Sequence, residues 1–92
     1  MKKFHWSSAK NDLLNENTTR GCVDFEDCKR AIREGRVLDD IPNPSPKYSH
    51  QRILILDIDD YAYAVPYVET ANEIYLKTVF PSRKHTAIYL AK

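Results

Sequence analysis

The chain reads as an α+β domain, with two N-terminal helices packed on one face of a mostly antiparallel four-stranded sheet and a short C-terminal helical turn. Three observations predict this. Apolar residues recur at helical spacing as far as Gly35. Beyond it, short β-branched and aliphatic runs alternate with turn residues, the signature of an antiparallel meander. Finally, Pro81 stops the last strand, having no N–H for the ladder, and Ser82 is a residue type that opens helices.

Ser7 and Ser8 are candidate caps preceding a first short helix over 9–16, with Trp6, Ala9, Leu13 and Leu14 near one stripe, and the run 17–21 ends it. Asp24 and Asp27 form a cap-like pair ahead of Phe25, Cys28, Ala31 and Ile32, which share one face of a second helix; Gly35 is its natural stop. The opposite face carries Lys29, Arg30 and Arg33 and reads as solvated. Arg36 to Ile41 is a first strand. Pro42, Pro44 and Pro46 then impose a loop. Arg52 to Ile58 and Tyr61 to Glu69 are strands joined by a two-residue turn at Asp59-Asp60, which adopts such a turn less readily than Asp-Gly. A turn at Thr70-Ala71-Asn72 leads to a last strand, Glu73 to Phe80.

Composition narrows the function. With 92 residues, 42% hydrophobic and 29% charged, the chain suits a single domain, 1–92, with one modest core. A net charge of +1 argues against a globally basic nucleic-acid binder, but the acid-rich 21–41 and base-rich 61–92 segments allow a local basic patch. Cys22 and Cys28 have no metal-type partner pair and read as small core or boundary residues of a reducing compartment, not as a disulfide. No apolar run approaches the ~20 residues of a membrane span, and the basic N-terminus lacks a secretion signal's apolar stretch. A cytoplasmic chain is expected.

Strand parity sorts the side chains. A two-residue turn at 59–60 sets Arg52 opposite Tyr67, and a three-residue turn at 70–72 sets Tyr67 opposite Tyr75. One face then holds Ile53, Ile55, Ala62, Ala64, Val68, Ile74, Leu76 and Phe80 and is expected to receive Phe25, Cys28 and Ile32 of the second helix. The other holds Arg52, Tyr61, Tyr63, Tyr67, Glu69, Tyr75 and Lys77 and is expected to stay open. A one-residue slip inverts the assignment.

The chemistry concentrates near the C-terminal end. Arg83, Lys84 and His85 directly follow the helix-opening Ser82, where cations oppose the helix dipole and a bound phosphate would offset the cost. The same residues also read as a solvated basic turn.

The order helix, helix, meander, the Trp6-x-x-Ala9-Lys10 opening, the Val23-Asp24-Phe25-Glu26-Asp27 helix start and the Ser82-Arg83-Lys84-x-Thr86 close together resemble BrnT-type toxins. These are the toxin half of a bacterial type II toxin–antitoxin pair, related in fold to the RelE ribonucleases. The resemblance implies a metal-independent, cofactor-free ribonuclease that cleaves mRNA and halts translation. It implies a cognate antitoxin, of ribbon-helix-helix type, that alone contacts operator DNA, and no membrane partner. RNA cleavage needs the 2′-OH activated, the phosphorane charge stabilised and the leaving 5′-oxygen protonated. Arg52 and Arg83 match positions where family members carry arginine, and Lys84 matches the next motif position; with Glu69 they form the candidate catalytic set, expected to converge on one sheet edge. Tyr67, Tyr75, Lys77 and His85 are the candidate RNA contacts, the tyrosines through stacking. His50 and His85 are further candidates for proton transfer, whereas a lone histidine such as His5 reads as a surface residue.

The competing reading is a non-catalytic protein- or nucleic-acid-binding module that uses the tyrosine-rich sheet face, since tyrosine and arginine suit interfaces. The two separate on whether cations converge with a proton-transfer group within hydrogen-bond reach.

Overall fold

A computed structural model describes residues 3–9, 11 and 23–90. Six strands form one mixed sheet: β1 (Lys3–His5), β2 (Val37–Pro42), β3 (Arg52–Ile58), β4 (Tyr61–Glu69), β5 (Glu73–Leu76) and β6 (Phe80–Pro81). Two α-helices flank it, α1 (Phe25–Arg33) and α2 (Arg83–Tyr89), and a 3₁₀ turn spans Pro46–Tyr48. The sheet order is β1-β5-β4-β3-β2, with β6 also on β4. This corrects the expected four-stranded antiparallel sheet beneath two N-terminal helices. The sheet is mixed because β1 lies parallel to β5, with Phe4 opposite Ile74. Parallel pairing so far apart in sequence leaves no local signature. Of the expected first helix and its caps, Ser8, Ala9 and Asn11 are helical, and the Asn11 N–H donates to Ser7 O at 3.0 Å. The rest of that expectation, Leu13, Leu14 and Cys22 included, lies outside the described residues. Among the described N-terminal residues, α1 is the one helix longer than a single turn.

Local chemistry explains the ends of α1. Asp24 and Asp27 form a reciprocal capping box: the Asp27 N–H donates to Asp24 Oδ1 at 3.0 Å and the Asp24 N–H to Asp27 Oδ2 at 3.1 Å. At the other end, Gly35 sits at φ +74°, the Arg36 N–H reaches Ala31 O at 2.9 Å and the Gly35 N–H reaches Ile32 O at 3.2 Å. That is a Schellman stop, which asks for a left-handed residue where glycine stands. Between β3 and β4, Asp59 and Asp60 both adopt positive φ, 54° and 63°, the backbone of a type I′ hairpin. The hairpin register therefore comes out as expected, with Ile58 opposite Tyr61 and Arg52 opposite Tyr67.

The next turn shifts the register. Glu69 pairs with Ile74 and Tyr67 with Leu76, not with Tyr75. One extra residue in the turn moves Leu76 onto the face of Tyr67 and turns Tyr75 to the other side. The last expected strand also divides, β5 and β6 being separated by 77–79. Pro66, inside β4 opposite Ile53, accounts for the break. Its carbonyl accepts from the Lys77 N–H at 2.9 Å, so its ring nitrogen, which has no hydrogen to donate, faces the same side, where the neighbouring ladder is interrupted. Pro81 does not halt the strand ahead of itself; it is the last residue of β6, opposite Tyr63.

The assignment of faces is reversed for β3 and β4, while Ile74 and Leu76 of β5 lie on the α1 side as expected. α1 packs against Leu54, Leu56, Ile58, Tyr63, Val65, Tyr67 and Leu76, not against Ala64, Val68 and Phe80. Phe25, Cys28 and Ala31 are fully buried in that contact and Ile32 is partly buried. Burying a side chain of the size of Phe25 is worth about 1.5–3 kcal/mol. The smaller face, built from Ile55, Ala62 and Ala64, receives α2 through Leu90 and the edge residues Leu38 and Ile41. Small residues permit that approach: the Ala62 N–H donates to Thr86 Oγ1 at 2.9 Å. β3 and β4 are thus covered on both sides. Burial also pushes the Cys28 thiol up to about 12, leaving it a neutral packing group.

Candidate RNA-binding groove

The reversal of faces redistributes the site residues anticipated from sequence. Arg52 opens β3 on the α1 side of the sheet, opposite Tyr67. Its Nε donates to Asp40 Oδ1 at 3.0 Å and its Nη2 to Asp40 O at 2.9 Å. The Tyr67 hydroxyl meets the same carboxylate, 2.9 Å from Oδ1 and 2.8 Å from Oδ2. The carboxylate raises the arginine's pKa, and burial followed by the Asp40 contact pushes the phenol up to about 12. Guanidinium and phenol therefore hold their protons and donate to one carboxylate. Tyr67 is only 3% exposed, so its ring is covered and has no face to offer a base. Glu69 stands exposed at the end of the same strand.

Arg83, Lys84 and His85 lie on α2, on the opposite face of the sheet from Arg52, so the two arginines do not converge. Ser82 caps α2, accepting the His85 N–H at 3.3 Å, and its Oγ lies 2.6 Å from His85 Nδ1. The imidazole stacks on Tyr89, with centroids 6.2 Å apart and planes 6° from parallel, and the Tyr89 hydroxyl donates to Asp39. That bond, with the Asp40 N–H next, holds the Asp39 carboxyl below its usual range. The imidazole is thus engaged within α2 and its cap, while Tyr89 fastens α2 to β2. Arg83 and Lys84 are exposed.

A third grouping lies on the same face as α2, beyond the part that α2 covers. His50, Val68, Thr70, Glu73, Tyr75 and Lys77 line an open cavity of ≈ 380 Å³, within the size range of ligand sites. Strand geometry assembles it. Glu73, Tyr75 and Lys77 are spaced by two and so point the same way from β5 and its extension, and Val68 is the partner of Tyr75 on β4. The turn is closed by the Thr70 N–H donating to Glu73 O at 2.9 Å and the Glu73 N–H donating to Thr70 Oγ1 at 3.1 Å. His50 enters from the residues before β3. Lys77 Nζ stands 4.7 Å from the Tyr75 ring centroid, a cation–π contact, and the ring is 39% exposed. Beside the groove, on the same face of the sheet, His5 Nε2 lies 3.5 Å from Glu73 Oε2 across the β1–β5 pair.

Of the residues anticipated from sequence, His50, Tyr75 and Lys77 meet in this groove, while Arg52 and Tyr67 meet at Asp40. Thr70 and Glu73 were missed. The signal for Glu73 was the alternation Glu73-x-Tyr75-x-Lys77, which places carboxylate, aromatic and ammonium in one row. Among the described residues, no group of three or more His, Cys, Asp or Glu side chains is arranged to hold a metal ion. No described helix is long and apolar enough to cross a membrane. No family model matches the chain, and no curated protein or solved structure does either.

Proposed function

We propose that this chain is an RNA-binding endoribonuclease of the toxin type, acting on mRNA in the cytoplasm and neutralised by a cognate antitoxin. Its RNA site is the groove on β5. The observation that carries this reading is the convergence there of an imidazole, a carboxylate and an ammonium beside an exposed tyrosine ring. Together they provide what strand cleavage by the 2′-OH requires without a metal. One of His50 and Glu73 takes the 2′-OH proton as that oxygen attacks phosphorus, and the other protonates the departing 5′-oxygen. Lys77 stabilises the phosphorane charge and Tyr75 stacks the neighbouring base. The products are a 2′,3′-cyclic phosphate and a free 5′-hydroxyl. Arg83 and Lys84 are exposed on the same side of the sheet and add positive charge for flanking phosphates. The likeness of the helix openings and of the Ser82-Arg83-Lys84-x-Thr86 close to BrnT-type toxins supports the toxin class. Arg52, neutralised by Asp40 on the far face, serves the fold in this reading.

The test is single-stranded RNA incubated with the purified protein in excess chelator. We expect cyclic-phosphate products, with His50→Ala and Glu73→Gln each lowering the rate by roughly 10²-fold or more. Loss of cleavage in Arg52→Ala with His50→Ala fully active would overturn the assignment of the groove. RNA retained by the wild type without cleavage would instead identify a non-catalytic binding module.

A further inference from the structure

The Lys77–Tyr75 contact has a consequence for how a ligand enters the groove. Lys77 begins where β5 ends, and its backbone is anchored by its N–H donating to Pro66 O at 2.9 Å. Its side chain is exposed and reaches back over the ring two residues earlier, with Nζ 4.7 Å from the centroid. The ammonium therefore stands over one π-face of the ring, where a base would stack. An exposed cation–π contact is weaker than a base–aromatic stack, so a base can take its place. The displaced ammonium remains on a four-carbon stem fixed at its backbone end, within a short swing of any phosphate attached to that base.

We infer that Lys77 is an exchangeable cap on Tyr75: a single-stranded nucleic acid displaces the ammonium from the ring, and the ammonium then pairs with the adjoining phosphate. This rests on the reading of the groove as an RNA site and adds a selection rule to it. A ligand carrying both base and phosphate gains the stack and regains the cation. A ligand with a base but no charged backbone must displace the cation without compensation, and is disfavoured. The groove thereby discriminates against uncharged aromatic molecules.

The experiment compares two labelled single-stranded probes of one sequence by fluorescence anisotropy. One is a 2′-O-methyl oligoribonucleotide, which resists cleavage; the other has an uncharged methylphosphonate backbone. Lys77→Met keeps the length of the side chain and removes the charge. It should weaken the phosphodiester probe about three- to tenfold and reduce its salt slope by about one phosphate contact, while strengthening the methylphosphonate probe. In the wild type, the Lys77 side-chain protons should carry ring-current shifts that collapse when the phosphodiester probe binds. If Lys77→Met shifts both probes in the same direction, or neither, the exchange is wrong although the groove still binds RNA. If the wild type binds neither probe, the groove reading falls and the exchange falls with it.

Discussion

The Tyr67 hydroxyl crosses strand β3 to reach Asp40, lying 2.8 and 2.9 Å from the two carboxylate oxygens while Arg52 Nε holds one of them at 3.0 Å. This places a carboxylate at the end of a phenol that is otherwise inside the core. Burial and the carboxylate raise the Tyr67 pKa from its ordinary 10.0 to about 12. The folded pKa lies above the unfolded one, so the contribution to stability is complete below about pH 10 and is lost as pH rises through about 12. Urea unfolding between pH 8 and 12 should show a steeper alkaline decline for wild type than for Tyr67→Phe. Equal slopes would mean that the phenol titrates normally.

Asp40→Ala should cost roughly 1–3 kcal/mol at neutral pH, because it strands a buried hydroxyl that has already left water. Arg52→Ala should cost less, since its side chain is 47% exposed and the pair is screened by solvent. Chemical denaturation of the two variants checks the order. A larger loss for Arg52→Ala would show that the guanidinium, and not the phenol, depends on Asp40.

Phe25 is fully buried and stacks on Trp6, with ring centroids 5.8 Å apart. Phe25→Ala should destabilise by about 3–5 kcal/mol, a large share of the ~5–15 kcal/mol available to a domain of this size. Trp6 is the single tryptophan, so its emission reports this site alone. A red-shifted native spectrum and an earlier unfolding midpoint are expected.

Asp59 and Asp60 both occupy the left-handed region, at φ 54° and 63°. A side chain is strained there and glycine is not, so Asp60→Gly should stabilise the hairpin by about 0.5–1 kcal/mol. Gly35→Ala should have the opposite sign, costing about 1 kcal/mol: no atom lies within 4 Å of the added methyl, and the φ of +74° alone is penalised. Thermal unfolding of both variants checks the pair of signs.

The Thr86 hydroxyl donates to Ser82 O at 2.8 Å and accepts the Ala62 N–H at 2.9 Å, joining α2 to the sheet. Thr86→Val keeps the shape and leaves a part-buried Ala62 N–H without its acceptor. Hydrogen exchange at Ala62 and along α2 should then accelerate by roughly tenfold or more, with α1 unchanged.

Most of what depends on neighbours in sequence was legible in it, the length of the turn after Glu69 excepted. The capping box of Asp24 and Asp27, the stop at Gly35, the Ser82 cap, the spans of β3 and β4 and the Arg52–Tyr67 pairing all follow from contacts within one turn or one tight hairpin. Such signals do not depend on the rest of the chain. The tyrosines misled because their rings are apolar and their hydroxyls polar: Tyr63 and Tyr67 read as an open face, yet they bury their rings under α1, with Tyr67 ending on Asp40.

What only the tertiary structure decided is mostly set by partners far apart in sequence. A turn one residue longer after Glu69 set Leu76, not Tyr75, beside Tyr67, so β5 kept its expected faces while those of β3 and β4 reversed. The parallel pairing of β1 with β5 brought His5 to Glu73. The docking of α2 on Ala62 and Ala64 separated Arg83 from Arg52. Strand parity has a period of two, so sequence pattern defines two alternating sets of residues but not which set is covered. That choice depends on the relative burial each packing achieves, a property of the assembled sheet and helices that no local segment contains.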